Sequence, residues 1–432
     1  MSEVTMLYNN VKRIIQGDIV HCPEFGKLEI LRNGYIVVRE NGIIDGVYRE
    51  GELEVGPFDT ITSYRGHLIL QGMHDMHLHP PQHPMMGLGL DLPLLDWLNE
   101  YTYPQEIRLS QKVYADHCYA SFIRELKRSG TTRLAAFGTI HTDATTNLMW
   151  KLEEAGFQGI VGKVNMDRNS HPSLQEDTEQ SIKDTTRFIE GSWCFHNMEP
   201  AITPRFTPTC SKHLMKHLGT LAGMHDLYIQ SHLSESVSEG RWVDRLEPWS
   251  HGYWETYEAH GLWNKKTLMA HCVYTDDIEA EEIASAGVTA VHCPTSNTNL
   301  SSGMCNVRKL LQKGVNVTLG SDIGAGHTLN MFDVMAAAIQ VSKLVSMRDG
   351  TRALSPAEVY YMATSAAQKY FGEQPGFTKG NKLHAIVVDD MLLPDTCLLT
   401  PEERLQRLMY TRDPEWLVAS FAGPNVIYQR EF

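Results

Sequence analysis

Leu68-Ile69-Leu70-Gln71-Gly72-Met73-His74-Asp75-Met76-His77-Leu78-His79 is an apolar run that ends in two histidines one residue apart. On a β-strand, residues i and i+2 share a face. His77 and His79 are therefore expected side by side in one cavity, at the C-terminal end of a strand over residues 68–79. Two imidazoles converging at a strand end can hold a transition metal, most often zinc. The ordinary alternative is a pair of histidines on a wet loop, and the rest of the chain decides between the two.

From residue 67 onward, apolar strand-like runs alternate with helical patterns. Strands are expected at 68–79, 131–137, 159–165, 201–207, 228–231, 268–273, 288–292 and 315–320. Helical segments lie between them, such as 113–127, 211–222, 278–285 and 307–312, and two more follow at 332–344 and 356–371. Eight apolar strands each followed by a helix are the pattern of a closed parallel (β/α)8 barrel of the TIM type.

Before residue 67 the chain reads as short β-prone pieces, at Ile19-Val20, Leu28-Glu29-Ile30-Leu31 and Tyr35-Ile36-Val37-Val38. Asn33-Gly34 and Asn41-Gly42 are hairpin-type turn signals. Residues 382–388 and 426–428 are β-prone again, so the C-terminal segment is expected to return and pair with the N-terminal one. The expected architecture is α/β: a metal-dependent barrel over 67–375, with a small β-sandwich domain built from 1–66 and 376–432.

The formal net charge of −14 disfavours polymeric nucleic acid, which needs a basic face, and leaves a single nucleobase open. No stretch approaches the roughly 18 apolar residues of a membrane helix. The eight cysteines are scattered without a CxxC pair, and the N-terminal stretch lacks the apolar segment of a signal peptide. Reduced thiols in a cytoplasmic protein are the expectation.

In such a barrel the reactive groups sit at the C-terminal ends of the strands. The first expected strand ends in His77 and His79, the fifth at His232, the sixth at His271 and the eighth at Asp322. Four imidazoles and one carboxylate then face one mouth, a set that suits zinc or iron. Any one of them alone reads as easily as a hydrogen-bonded core residue, whereas five at strand ends do not. Glu235 follows His232 by three residues, close to the ion without having to bind it. A metal lowers the pKa of water, and a neighbouring Glu can relay the proton. Asp322 is a candidate second base. Glu235 could instead cap the helix that follows.

The set HxH, His, His, Asp resembles the amidohydrolase superfamily. Longer blocks resemble the guanine deaminases within it: His77-Leu78-His79-Pro80-Pro81-Gln82, Asp91-Leu92-Pro93-Leu94-Leu95-Asp96-Trp97-Leu98, Thr203-Pro204-Arg205-Phe206-Thr207-Pro208, Gln230-Ser231-His232-Leu233-Ser234-Glu235, Ala270-His271-Cys272-Val273-Tyr274 and Val291-His292-Cys293-Pro294-Thr295-Ser296-Asn297. The resemblance implies one divalent metal per chain, zinc first and iron as the alternative, held by His77, His79, His232, His271 and Asp322. It implies Glu235 as proton shuttle, and Gln82, Arg205 and Phe206 as substrate contacts. An Arg fork matches the adjacent O6 and N7 acceptors of guanine, a Phe gives a flat ring its surface, and a Gln both donates and accepts. Leu94 and Trp97 are candidate pocket walls, or core. A homodimer is also implied.

Some positions depart from that pattern. Gln71 stands where the family has Pro, His384 where an acidic residue is common, and the ending from Cys397 is unlike the usual one. Ser321-Asp322-Ile323-Gly324-Ala325-Gly326-His327 carries an unexpected histidine, His327, which reads as a loop residue.

The expected activity is hydrolytic deamination of guanine to xanthine and ammonia by a metal-activated water. The competing readings are a deaminase of another 2-amino heterocycle, such as a pterin or oxidised guanine, a binuclear cyclic amide hydrolase, and a non-catalytic scaffold. The binuclear enzyme would want a lysine on the fourth strand, which carries Arg205, while Lys163 lies on the third. GxGxxG, GxxxxGK[ST], GxSxG, HExxH and PCxxC are missing, which removes most other chemistries.

Overall fold

A computed structural model describes residues 12–56, 59–391 and 393–431. Fifteen strands are named in chain order. β1 (Lys12–Glu24), β2 (Lys27–Arg39), β3 (Ile44–Tyr48) and β4 (Thr60–Gln71) precede the barrel strands. These are β5 (Met73–Leu78), β6 (Thr131–Phe137), β7 (Gln158–Asn165), β8 (Met198–Pro204), β9 (Tyr228–Leu233), β10 (Thr267–His271), β11 (Thr289–His292) and β12 (Asn316–Leu319). β13 (His384–Val388), β14 (Leu417–Ala422) and β15 (Asn425–Gln429) follow.

β5 to β12 form an eight-stranded sheet in sequence order, parallel throughout. The ring closes just beyond β12: Asp322 N donates to His77 O at 2.8 Å, and His79 N donates to Ile323 O at 2.6 Å. Every residue of β6 and β7 is buried, as expected for strands covered on both faces. The helices outside are amphipathic. In Lys112–Leu126 the buried residues Ala115, Cys118, Tyr119, Phe122 and Leu126 recur at helical spacing and pack toward the barrel.

The other seven strands form one mixed sheet of order β15-β14-β13-β4-β1-β2-β3, antiparallel except for β1 beside β4. Ile36 and Val38 of β2, Ile44 of β3, and Val418 and Phe421 of β14 share one core cluster. Strands far apart in sheet order thus bury their side chains together, so the two layers expected of a sandwich are parts of one curled sheet.

Two local expectations need correction. The 68–79 run is not one strand. β4 belongs to the mixed sheet through Gln71, past residue 66, and the barrel begins at Met73. Gly72 is the crossing point, where a Cβ would lie 2.4 Å from Thr132 Oγ1. Asn33-Gly34 is not a hairpin turn either. β2 runs through it, and the β1–β2 register shifts there, with Asn33 at φ 48° and its N–H donated to Asp18 Oδ1. It is a bulge, which asks for the same left-handed residue as a turn. Asn41-Gly42 does connect β2 to β3.

Gln71, the departure from Pro, ties β1 and β4 of the mixed sheet to the helix Ser365–Tyr370. Its Oε1 accepts from Cys22 N at 2.7 Å, and its Nε2 donates to Ser365 Oγ and Gln368 Oε1, both at 3.0 Å. A Gln71→Leu variant takes the acceptor from buried Cys22 N, while Ser365 Oγ and Gln368 Oε1 keep Gly376 N, and is expected to lose about 1–3 kcal/mol of stability, read as a lower thermal midpoint. An unchanged midpoint would show the bonds to be idle.

Candidate active site

A cavity opens at the C-terminal mouth of the barrel. His77 lies near the end of β5 and His79 just past it. His232 is on β9, His271 closes β10, and Asp322 follows β12 by three residues. All five are brought together. Asp322 Oδ1 is 3.2 Å from His77 Nε2 and 3.5 Å from His79 Nε2, and Asp322 Oδ2 is 3.9 Å from His271 Nε2. The Nε2 atoms of His79 and His232 face each other at 3.3 Å.

The donor set fits a cation. Two ligands held at about 2.0–2.2 Å from one ion stand roughly 3–3.5 Å apart. Two triads meet the spacing of a shared ion, with donor atoms within 4.8 Å of one another: His77, His79, His232 and His77, His271, Asp322. His77 Nε2 is buried and meets Asp322 Oδ1 at 3.2 Å without good hydrogen-bond geometry. Neighbours fix which nitrogen is free: His232 Nδ1 donates to Arg205 O at 2.6 Å, and His271 Nδ1 donates to Asn297 Oδ1 at 2.9 Å. Each Nε2 then presents its lone pair to the cavity. Phe137, fully buried at the end of β6, packs 4.7–4.9 Å from the rings of His77, His79 and His232 and keeps water from that side.

Electrostatics follow from burial. Desolvation pushes His77, His79 and His232 below the ordinary histidine value. Burial also presses on His271, but the carboxylates of Glu235 and Asp322 hold it above that value. Burial would raise Asp322, yet His77 and His271 hold it down to about 2. Ser234, His271, Cys272 and Asp322 all have left-handed backbone, φ 49–76°, at the strand ends around the mouth. Non-glycine residues there cost about 1–3 kcal/mol each, and such strain gathers at functional sites.

Glu235, two residues past β9, sits beside this donor set. Its Oε2 is 3.4 Å from His271 Nε2, and its Oε1 accepts from Ser302 Oγ at 2.9 Å. Burial raises its pKa to about 7. It does not cap the helix that follows. Ser236 is the cap, in a capping box with Glu239.

The far wall is formed by Gln82, Arg205, Phe206, Leu94 and Trp97, all lining the cavity. Arg205 and Phe206 lie just after β8 rather than on it. Phe206 is braced edge-on by Trp242, 6.0 Å away. Trp97 Nε1 donates to Leu88 O at 3.0 Å, which fixes the indole. Behind the wall, Glu106 accepts from Gln82 Nε2 at 2.8 Å and from Arg205 Nη1 at 2.7 Å.

Residues 68–415 match the family model described as "Amidohydrolase family". The chain belongs to the amidohydrolase family. Guanine deaminase from Dictyostelium discoideum is 32% identical, covering 98% of this chain and 99% of its own. A crystal structure of guanine deaminase from C. acetobutylicum with bound guanine superposes with a TM-score of 0.93 at 39% identity, covering 96% of this chain and 100% of that one. The E. coli guanine deaminase structure gives 0.90 at 30% identity, covering 97% and 100%. Membership of the amidohydrolase family implies a divalent metal, and the donor set above is where this amidohydrolase can hold one.

Three further features separate from the site. His327 is exposed, bonded to Asn299, and does not line the cavity. His384 lies between β4 and β14 in the mixed sheet, its Nδ1 3.0 Å from Thr132 Oγ1. Lys163 is fully buried, with Nζ donated to Glu176 Oε1 at 2.6 Å and Val164 O at 3.1 Å, which engages the amine away from any bridging role. Sequence reading missed Glu106, Phe137, Asn297 and Ser302 as supporting residues. For Asn297 the signal was present, in the block 291–297.

Proposed function

We propose that this amidohydrolase deaminates guanine hydrolytically, giving xanthine and ammonia. The observation that carries the reading is one small cavity with a cation-binding set at one end and a donor wall of Arg205 and Gln82 at the other. The guanine-bound relative supports it. A divalent metal held by His77, His79, His232, His271 and Asp322 would supply the Lewis acidity that brings the pKa of water near neutral. Zinc suits this donor set best, with iron as the alternative.

The side chains do the rest. Arg205 and Gln82 grip the O6/N7 edge, while Phe206, Leu94 and Trp97 flank the flat ring, so the carbon bearing the exocyclic amine points at the histidines. Glu235 takes a proton from the water that adds to this carbon and gives it to the adjacent ring nitrogen. Asp322 takes the remaining hydroxyl proton and passes it to the amine as the C–N bond breaks. Both water protons are then placed, one on the ring and one on ammonia. We infer in addition a cytoplasmic protein serving purine breakdown, and a homodimer, which the resemblance implies. Among the described residues no helix is long and apolar enough to cross a membrane.

The test is ammonia release from guanine, a pterin, 8-oxoguanine and adenine, with metal analysis alongside. Guanine is expected to lead by at least about 100-fold in kcat/KM, the discrimination that two charge-assisted hydrogen bonds give. No ammonia from guanine overturns the reading. Arg205→Lys keeps a cation beside Glu106 but loses the fork. It is expected to cost about 100-fold in kcat/KM on guanine with metal content unchanged.

A further inference from the structure

Glu106 is 2% exposed and does not line the cavity, yet both polar residues of the far wall end on it. It lies in the short helix Tyr103–Ile107, 99 residues from Arg205 and 24 from Gln82. Each carboxylate oxygen takes one bond: Oε1 from Gln82 Nε2, Oε2 from Arg205 Nη1.

A carboxylate only accepts, so Glu106 decides how its neighbours are turned. Gln82 must place its NH2 toward Glu106, and its Oε1 then meets Gly324 N at 3.3 Å. Arg205 commits one end of its fork to Glu106. It makes no other side-chain hydrogen bond among the described residues, while lining the cavity. Its remaining N–H groups and the second Nε2 hydrogen of Gln82 are left for a ligand. The wall is therefore rich in donors. The charge of Glu106 offsets that of Arg205, so the wall favours a neutral ring rather than an anion.

We propose that Glu106 is a specificity-determining positioning residue, which sets the donor wall so that the cavity accepts an oxo-and-ring-nitrogen edge. The inference rests on the guanine reading and extends it. A 6-amino edge would bring its own donors against these donors, and an edge without the oxygen would leave buried donors unpaired.

The experiment uses the metal-loaded full chain carrying Glu106→Gln. An amide at 106 puts an NH2 against Arg205 or against Gln82, so one donor turns away. Two competitors against guanine are compared: hypoxanthine, which has the 6-oxo edge, and 2-aminopurine, which has guanine's amine without that oxygen. The inhibition constant of hypoxanthine is expected to rise about 30- to 100-fold, as for a lost charge-assisted hydrogen bond, with less than about a threefold change for 2-aminopurine. Equal losses for both, with metal content and thermal midpoint kept, would make Glu106 a purely structural ion-pair partner and overturn the proposal. Should that variant not fold, Glu106→Asp keeps the charge and withdraws the carboxylate by one carbon. It is expected to narrow the same ratio at least about fivefold, the cost of one stretched charge-assisted bond, and an unchanged ratio overturns the proposal. Wild-type protein inactive on guanine brings down the guanine reading itself, and this inference with it. Guanine activity with an unmoved ratio brings down the inference alone.

Discussion

Glu235→Gln is expected to lower kcat on guanine about 10³- to 10⁴-fold while one metal ion per chain stays bound. A positioned proton-transfer group is worth about 10²–10⁴ in rate. The upper part of that range fits a residue asked both to take a proton and to return it. The amide has nearly the shape of the carboxyl group. Its oxygen can still accept from Ser302, whose hydroxyl is 2.9 Å from Glu235 Oε1. What it cannot do is bind and release a proton. Glu235 belongs to neither triad of candidate ligands, so the ion should remain. Ammonia release and metal analysis on the same sample decide the matter. Near-normal kcat in fully metallated protein would remove Glu235 from the proton path. Activity and metal lost together would make it a ligand instead.

The barrel and the convergence of the five candidate ligands could be read from the sequence for a physical reason. Strands covered on both faces are continuous apolar runs, and in this fold the residue at the end of each run faces the mouth. His77, His79, His232 and His271 each close or follow such a run. The same logic failed at Gln71-Gly72. Two sheets share one unbroken apolar stretch, and nothing in its periodicity tells that Leu70 pairs with Ile386 whereas Met73 pairs with Thr131. Asn33-Gly34 misled because a bulge and a hairpin ask for the same left-handed backbone. Glu106 and Ser302 were out of reach for another reason. Their meaning lies in partners 99 and 67 residues away, and a single buried carboxylate or hydroxyl has no periodicity to announce it.

Removing the metal should affect stability as well as rate. The His79 and His232 Nε2 atoms stand 3.3 Å apart, and the Nδ1 atom of His232 is already committed to Arg205 O. Without an ion, a neutral His79 can satisfy this pair only by donating from Nε2 to His232 Nε2, and burial opposes charging either ring, whereas a cation satisfies both nitrogens at once. A cation bound only by the folded state adds RT ln(1 + [M]/Kd), about 4 kcal/mol at a thousandfold excess over Kd. Chelation is therefore expected to lower the thermal midpoint by several degrees and to abolish ammonia release. Adding back zinc or iron separately should restore both together, and the better restorer identifies the working ion. One ion per chain at full activity is expected, because Lys163, the lysine considered for bridging a second, is engaged with Glu176. Two ions per chain at full activity would favour the binuclear cyclic amide hydrolase. Full activity in metal-free protein would leave the four imidazoles and Asp322 without the role argued for them.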